Sequence, residues 1–308
     1  MSLLKRAATT WHAAIAKNRT LAGLYFAIVS AGSRRLLNTK ASAQIRNLLL
    51  RRGVQWPPLQ FAARRVIVGT DTEIRLIPHL GEFDEEALFR RRLSYEQPVF
   101  RWLEHEAADR YDLVIEIGAN VGVYSVFLAA LAAKRTEGRL KRIIAFEPAL
   151  EPFRAAVADG GFRTFYEPRG HLTNGSLLAD FAGNFSPDVA EALVHAIAPT
   201  ELACFFEGDP SVLLKIDVEG YEAQLLSGLS GILAEHHPDM IIEVLAGTVE
   251  SLEHSEPLAG YDRYLIASGG LEQQPRLSAH PTYRDWLLRW PGSRPGDDRR
   301  RPPTRQRR

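Results

Sequence analysis

Carboxylates and glycines follow several short apolar runs in this chain, at positions where parallel strands place ligand-binding residues. The first run, Leu113 to Ile117, leads directly into the turn Gly118-Ala119-Asn120-Val121-Gly122 and then into an apolar helix. Glycines let the backbone approach a ligand closely, and the start of a helix offers free N–H groups. The dinucleotide fingerprint G-x-G-x-x-G is absent, because Asn120 stands at its second glycine position. Since such turns also use glycine for structural reasons, this loop alone is a weak indication of a ligand site.

Acids follow the next two runs. Glu147 comes directly after the run Ile143 to Phe146. An acid there, beside a glycine loop on the neighbouring strand, can accept both hydroxyls of a ribose, although a helix dipole also favours an acid near a helix start. The run Val212 to Ile216 is followed by Asp217 and Glu219. Two carboxylates two residues apart at a strand end suit proton transfer or metal binding better than packing.

Other polar residues are weaker candidates. His171 follows a further strand and could reach the site as an alternative base, although a loop histidine more often faces solvent. Lys215 lies inside a strand, where an unpaired ammonium is costly, so we expect a neighbouring carboxylate partner. Glu243 is a candidate for that partner or for a substrate contact. We expect His236 and His237 to lie at the surface.

The elements that position these residues alternate from residue 111 onward. Continuously apolar runs predict strands over 113–117, 143–146, 212–216 and 240–244, and helical patterns lie over 121–133, 149–158, 187–198 and 221–234. Such apolar strands are typical of a parallel sheet that is covered on both faces. The alternation therefore predicts an open α/β sheet whose ligands bind at the carboxyl ends of the strands.

The first hundred residues show a different pattern. Residues 1–52 have a basic, amphipathic helical pattern, residues 66–68 and 73–77 predict two short strands, and residues 84–108 predict a helix. The apolar run Leu21 to Ala31 is well short of the roughly 20 residues that cross a bilayer as a helix. The basic start and apolar run also fit the outline of a signal peptide, but the charged lead-in is unusually long for one.

A net charge of +1 conceals an acidic body with basic ends. Residues 1–70 contain twelve Lys and Arg and no Asp or Glu, a charge of +12, whereas residues 71–293 carry −16 and residues 294–308 carry +5. The apolar content is that of a globular protein and excludes wholesale disorder and a polytopic membrane protein. The one cysteine, Cys204, permits no internal disulfide and no cysteine-based zinc site, which fits a cytoplasmic location.

The motifs taken together resemble the FkbM-type methyltransferases, over about residues 66–290. The matching stretches, in the family's order and approximate spacing, are EIGANVG (116–122), FEP (146–148), KIDVEGYE (215–222) and IIEV (241–244). The resemblance implies a class I methyltransferase fold, a Rossmann-like, mostly parallel sheet of seven strands with helices on both faces. The expected domains are a basic helical extension (1–60), the methyltransferase domain (61–290) and a disordered Pro/Arg-rich tail (291–308).

The resemblance also implies a cofactor and an activity. The cofactor would be S-adenosylmethionine, and the usual activity is methylation of a hydroxyl oxygen of a sugar, glycolipid or secondary metabolite. By position, the methionine part would be held by the loop residues Glu116, Gly118, Ala119, Asn120 and Gly122. Glu147 would bind the ribose, and Asp217 and Glu219 would face the reacting methyl group. The stretch from Phe165 to Glu201 matches poorly, so the adenine contact has no assigned residues.

The chemistry that remains for the enzyme is in-line alignment and removal of the hydroxyl proton, because a sulfonium methyl is already activated. We expect Asp217 to accept the proton and Glu219 to position Asp217 or the acceptor. His171 is the alternative base. A divalent metal held by Asp217 and Glu219 is an open variant, since it would lower the pKa of the hydroxyl.

Two other function classes and the role of the basic ends stay open. One alternative is a non-catalytic Rossmann-like protein whose basic ends bind nucleic acid, but the acidic body argues against it. Another is a nicotinamide oxidoreductase, which Asn120 disfavours. The basic start could lie on an anionic membrane surface near a lipid-linked acceptor, or pack on the catalytic domain as a helical cap.

Overall fold

In this computed structural model the described residues are 11–12, 14–36, 59–80, 82–135, 137–149, 155–169, 171 and 174–292. The chain divides into two compact units, Met1–Gln97 and Pro98–Arg308. Parts of several predictions fall outside the described residues: residues 1–10, 13 and 37–52 of the helical pattern expected over 1–52, residues 293–308 of the disordered tail expected over 291–308, and residues 150–154 of the helix expected over 149–158.

Among its described residues, the first unit contains one long helix and one hairpin. Helix α1 is Arg19–Leu36, and strands β1 (Arg64–Val68) and β2 (Thr72–Leu76) pair antiparallel, which confirms the two predicted short strands. The helix predicted over 84–108 is interrupted. A 3₁₀ helix covers Phe83–Leu88, and the α-helix begins only at Gln97. None of the described helices combines the length and hydrophobicity needed to span a membrane.

The second unit holds ten strands and six short or medium α-helices among its described residues. The strands are β3 (Leu113–Ile117), β4 (Arg142–Phe146), β5 (Ala155–Val157), β6 (Gly161–Pro168), β7 (Val189–Ile197), β8 (Val212–Ile216), β9 (Asp239–Glu243), β10 (Asp262–Ala267), β11 (Gly270–Gln274) and β12 (Asp285–Arg289). The helices are α2 (Gln97–Arg110), α3 (Val123–Lys134), α4 (Ala179–Gly183), α5 (Glu222–Gly228), α6 (Ser230–His236) and α7 (Val249–Glu253). Two 3₁₀ helices cover Pro199–Phe205 and Glu256–Leu258.

Seven of these strands form one mixed sheet in the order β11-β10-β12-β9-β8-β3-β4. The pairs β4–β3, β3–β8 and β8–β9 are parallel, and the pairs that involve β12, β10 and β11 are antiparallel. All four predicted apolar strands are therefore present, with bounds within one residue of those expected. The sheet also has the seven strands that the family resemblance implies.

Both faces of the parallel strands are packed. Leu214 belongs to the same buried cluster as Leu225 of α5 and Ile232 of α6. Leu213, its neighbour on the other face, lines a small cavity together with Leu103 of α2 and other side chains. Because successive residues of a strand point to opposite faces, a strand with a core on both sides is apolar at nearly every position, and Glu116 and Lys215 are the exceptions in β3 and β8.

Two predicted helices are wrong, and both fall in a separate three-stranded sheet with the order β5-β7-β6. The helix expected over 187–198 is strand β7, which pairs antiparallel with β6 along eight residue pairs. The described end of the helix expected over 149–158 is strand β5. In β7 the side chains of Val194 and Ala196 are buried and those of Leu193 and His195 are exposed. This alternation of period two outweighs the helix preference of Ala, Glu and Leu once β6 supplies a partner.

Candidate active site

The carboxyl ends of β4, β3 and β8 meet at one edge of the sheet. Ile117 lies between Phe146 and Ile216 in the parallel register, so the residues that follow these three emerge together. The backbone N–H groups of Gly118 and Ala119 both donate to the Phe146 carbonyl at 3.0 Å. The glycine loop and the acids Glu147 and Asp217 are thus brought to one place, as the parallel pattern predicts.

Gly118 is required by the protein's own backbone. Its φ is +85°, and a Cβ atom there would lie 1.7 Å from the carbonyl oxygen of Asp217. That oxygen cannot easily withdraw, because the Asp217 N–H donates to the Ile117 carbonyl at 3.0 Å. Gly122 also has a positive φ, +75°, but a Cβ atom there would meet nothing within 4 Å. Gly118 therefore lets the ends of β3 and β8 touch, which the sequence alone does not reveal.

Glu147 links the end of β4 to the glycine loop. Its Oε2 accepts a hydrogen bond from the Asn120 N–H at 2.6 Å, and its Oε1 accepts one from the Ala149 N–H at 2.7 Å. Burial raises the pKa of Glu147 above the ordinary value, and these two hydrogen bonds counteract the shift. A carboxylate offers about four acceptor positions, so each oxygen keeps a lone pair for a further donor.

Lys215 has the carboxylate partner that its position in a strand predicts. Its buried ammonium donates to Oδ2 of Asp217 at 3.1 Å and lies 4.4 Å from the centre of the Tyr124 ring. Glu243, the candidate partner named from the sequence, forms an ion pair with Arg284 at 3.6 Å, and Asp217 was not predicted as the partner of Lys215. The contact with Lys215 fixes one oxygen of Asp217, and the Asp217 side chain remains partly exposed.

Glu116 lies opposite Lys215 in the register and faces the same buried cavity. Ser125 donates its hydroxyl to Oε2 of Glu116, whereas Oε1 has no hydrogen-bond partner among the described residues. Burial raises the pKa of Glu116 to about 7, and the positive charge of Lys215 limits that rise. Glu116 and Lys215 thus lie side by side, buried directly behind the site.

Glu222 shapes the turn that carries Asp217 and Glu219. Its Oε1 accepts the N–H groups of Val218 at 3.1 Å and Gly220 at 3.2 Å, across a turn in which Glu219 and Gly220 have positive φ. The carboxylate is buried, and burial raises its pKa to about 7. Glu222 is therefore a structural anchor of the turn.

Glu219 lies in a concentration of negative charge. Burial raises its pKa most, and the nearby carboxylates of Asp217, Glu243 and Glu222 raise it further. The side chain of Asn174 forms a hydrogen bond to Glu219, which partly offsets these effects. We call Asp217, Glu219, Glu222 and Glu243 the acidic cluster. In the described part of the chain, no group of three or more His, Cys, Asp or Glu side chains is arranged to hold a metal ion.

His171 is exposed and comes three residues after strand β6 of the separate sheet. Its ring centre is 6.1 Å from that of Phe185, which in turn is 5.5 Å from that of Phe181. Phe181 packs against the turn, because a Cβ at Gly220 would lie 2.6 Å from its ring. His171 therefore lies on the same side of the site as this aromatic pair.

Sequence reasoning missed two of these neighbours, Asn174 and Phe181. Both lie between Phe165 and Glu201, where the family resemblance is poor. The only signal near them was the position of His171 and Asn174 after a strand. Their proximity to the turn after β8 depends on tertiary packing, and no local pattern encodes it.

Comparison with known proteins agrees with the motifs. Residues 116–257 match the family model described as Methyltransferase FkbM domain. A solved structure, Methyltransferase FkbM from Methylobacillus flagellatus KT, is similar at 14% identity with a TM-score of 0.35, and the match covers 59% of this chain and 44% of that chain. This chain thus spans less than half the length of that relative. No curated protein matches the chain. The match to the family model confirms the resemblance read from the sequence: residues 116–257 are similar to the FkbM methyltransferase domain.

Proposed function

We propose that this protein is an S-adenosylmethionine-dependent O-methyltransferase that acts on a hydroxyl group of a sugar, glycolipid or secondary metabolite. Residues 116–257 match the Methyltransferase FkbM domain, and this match supports methyl transfer as the activity. The observation that carries the proposal is the position of Asp217, a partly exposed carboxylate held by Lys215 beside the glycine loop and Glu147. A base, a cofactor loop and a ribose acceptor would then share one edge of the sheet.

The residues at this edge fit a cationic cofactor that contains a ribose. The two oxygens of Glu147 keep lone pairs that can accept the two ribose hydroxyls. Burial raises the pKa of Glu219, and the other carboxylates of the acidic cluster raise it further; a positive charge placed nearby would relieve their repulsion. S-adenosylmethionine supplies such charge on its sulfonium and ammonium groups, together with an activated methyl.

The protein's own part in the reaction would be to orient the acceptor and take its proton. Lys215 occupies Oδ2 of Asp217, which leaves Oδ1 to accept the acceptor's O–H. A carboxylate is a weak base for an alcohol, so the proton would move late, as the oxygen gains its bond to carbon and becomes more acidic. With the positive charge of the cofactor beside it, Glu219 would be favoured as a carboxylate and would position the acceptor or Asp217. A divalent cation on Asp217 and Glu219 is a variant that chelation during turnover would test.

The test of this proposal is methyl transfer by the variant Asp217→Asn. The acceptors would be free saccharides and lipid-linked saccharides, with transfer measured by a labelled methyl group. We expect the asparagine variant to bind the cofactor normally but to lose roughly 10²- to 10⁴-fold in turnover, the usual contribution of a general base. Asp188→Asn, the same change at an exposed aspartate paired with Arg169, is the matched control and should retain turnover. Unchanged turnover in Asp217→Asn would exclude Asp217 as the base.

A further inference from the structure

Helix α1 exposes an apolar face in the first unit. Leu21, Leu24 and Ile28 are 50%, 58% and 64% exposed, and their spacing of three and four residues places them on one side of the helix. Trp11, in the helical residues before α1, is 56% exposed. We call these four residues the outer face. Large apolar side chains at this density on a solvent-facing surface indicate an interaction site.

The opposite side of α1 already supplies the packing that the helix needs. Phe26 is fully buried in a cluster with Tyr25, Leu88 and Phe89. Ser30, one turn further along, donates its hydroxyl to the Leu88 carbonyl at 2.7 Å. The outer face is therefore not the core-facing side of the helix, and its hydrophobicity calls for a different explanation.

The charged residues that flank the outer face along the sequence are all basic. The sequence has no charged residue between Arg19 and Arg34, and Lys17 and Arg19 are exposed at the start of the helix. Residues 1–70 contain twelve Lys and Arg and no acid. An apolar face with basic ends matches an anionic lipid surface, in which apolar side chains enter the acyl boundary and cations meet the head groups. A second copy of the chain would instead bring two +12 segments together, so charge disfavours it as the occupant.

We propose that the outer face of α1 docks on an anionic lipid surface and holds the protein there as a peripheral protein. Leu21, Leu24 and Ile28 insert below the head groups. The basic side chains among residues 1–70 make the protein bind anionic lipid in preference to neutral lipid. This contact is independent of the methyl-transfer proposal, because the outer face lies outside the residues that match the methyltransferase family.

Vesicle flotation with the full chain tests the proposal. The vesicles are phosphatidylcholine alone or phosphatidylcholine mixed with phosphatidylglycerol. The test variant replaces Leu21, Leu24 and Ile28 with glutamine, and because these side chains are exposed the fold should persist. The matched control replaces Phe162 and Leu193 with glutamine, since these are 66% and 69% exposed in the second unit. Far-UV circular dichroism and the thermal midpoint verify that both variants are folded.

We expect wild type and the control to float with the anionic vesicles and the triple variant to partition about a hundredfold less, as three half-buried aliphatic side chains are lost. Added salt should weaken wild-type binding. Three results would overturn the proposal: no wild-type binding to anionic vesicles, equal binding to both vesicle types, or a triple variant that binds like wild type. If the triple variant instead converts a wild-type dimer to a monomer in sedimentation while wild type ignores vesicles, the occupant is a second copy.

Discussion

The substitution Gly118→Ala tests whether the ends of β3 and β8 must touch for the site to form. The added Cβ would lie 1.7 Å from the Asp217 carbonyl oxygen, about half of an ordinary contact distance. Because that atom belongs to the backbone, a rotamer change cannot relieve the overlap. The two strand ends must separate, which weakens the hydrogen bond from the Asp217 N–H to the Ile117 carbonyl.

The cost has two parts that a matched glycine can separate. Alanine at a positive φ costs about 1–2 kcal/mol, and this part applies equally to Gly122→Ala, whose Cβ would meet nothing within 4 Å. Gly118→Ala adds overpacking of about 1–3 kcal/mol and a weakened hydrogen bond of about 1 kcal/mol. We therefore expect Gly118→Ala to destabilise the second unit by about 2–4 kcal/mol more than Gly122→Ala.

Thermal unfolding followed by calorimetry measures this difference. At about 2–4 °C per kcal/mol, the midpoint of Gly118→Ala should lie about 4–16 °C below that of Gly122→Ala. Turnover of the surviving folded Gly118→Ala should also fall, because Asp217 moves with its backbone. Equal midpoints for the two variants would refute the reasoning, since only the positive φ would then matter.

Three further predictions concern charge, the alternative base and the acceptor side. Burial raises the pKa of Glu116 and Glu222 from 4.5 to about 7, so the folded state holds protons that the unfolded chain releases. The free energy of unfolding should therefore fall as pH rises from about 5 to about 8, by at most about 3 kcal/mol for each group, and the thermal midpoint should fall with it. Glu222→Gln should make the midpoint depend less on pH. A midpoint that rises over this range would contradict the prediction. His171→Ala should reduce turnover less than tenfold; a loss as large as that of Asp217→Asn would make His171 the base. Phe181→Ala should raise the KM for the acceptor without changing cofactor affinity, and the opposite pattern would place Phe181 on the cofactor.

The central strands were predictable because a strand that is buried on both faces is almost continuously apolar in the sequence. The segments 113–117 and 212–216 are continuously apolar apart from Glu116 and Lys215, and the structure gives them those bounds. The two exceptions neighbour each other in the register. That pairing becomes visible only when the strand order is known.

Strand β7 could not be predicted because its sequence is compatible both with the period of an α-helix and with the two-residue period of a strand. Its alanines, leucine and glutamate favour a helix locally, and the strand exists because β6 pairs with eight of its nine residues. The connection between β4 and β8 differs from the simple alternation of strand and helix for the same reason. The pairing of two segments some thirty residues apart cannot be recognised from the pattern of about ten consecutive residues.

The candidate site was predictable where it follows the sheet and hidden where it does not. Glu147 and Asp217 come directly after parallel strands, so the topology brings them together. The hydrogen bond of Asn174 to Glu219 and the packing of Phe181 on Gly220 come from a segment outside that topology. The role of Gly118 was also hidden, because close contact with a ligand and close contact with Asp217 require the same residue.

The central claim is that this edge of the sheet binds S-adenosylmethionine through Glu147. Isothermal titration calorimetry on the full chain measures it directly, with Glu147→Ala as the test variant and Glu191→Ala, an exposed glutamate of β7, as the control. We predict one site per chain for wild type and the control, and at least tenfold weaker binding for Glu147→Ala, since hydrogen bonds to a charged group contribute about 1.5–3 kcal/mol. No heat with wild type, or equal affinity for Glu147→Ala, would contradict the account.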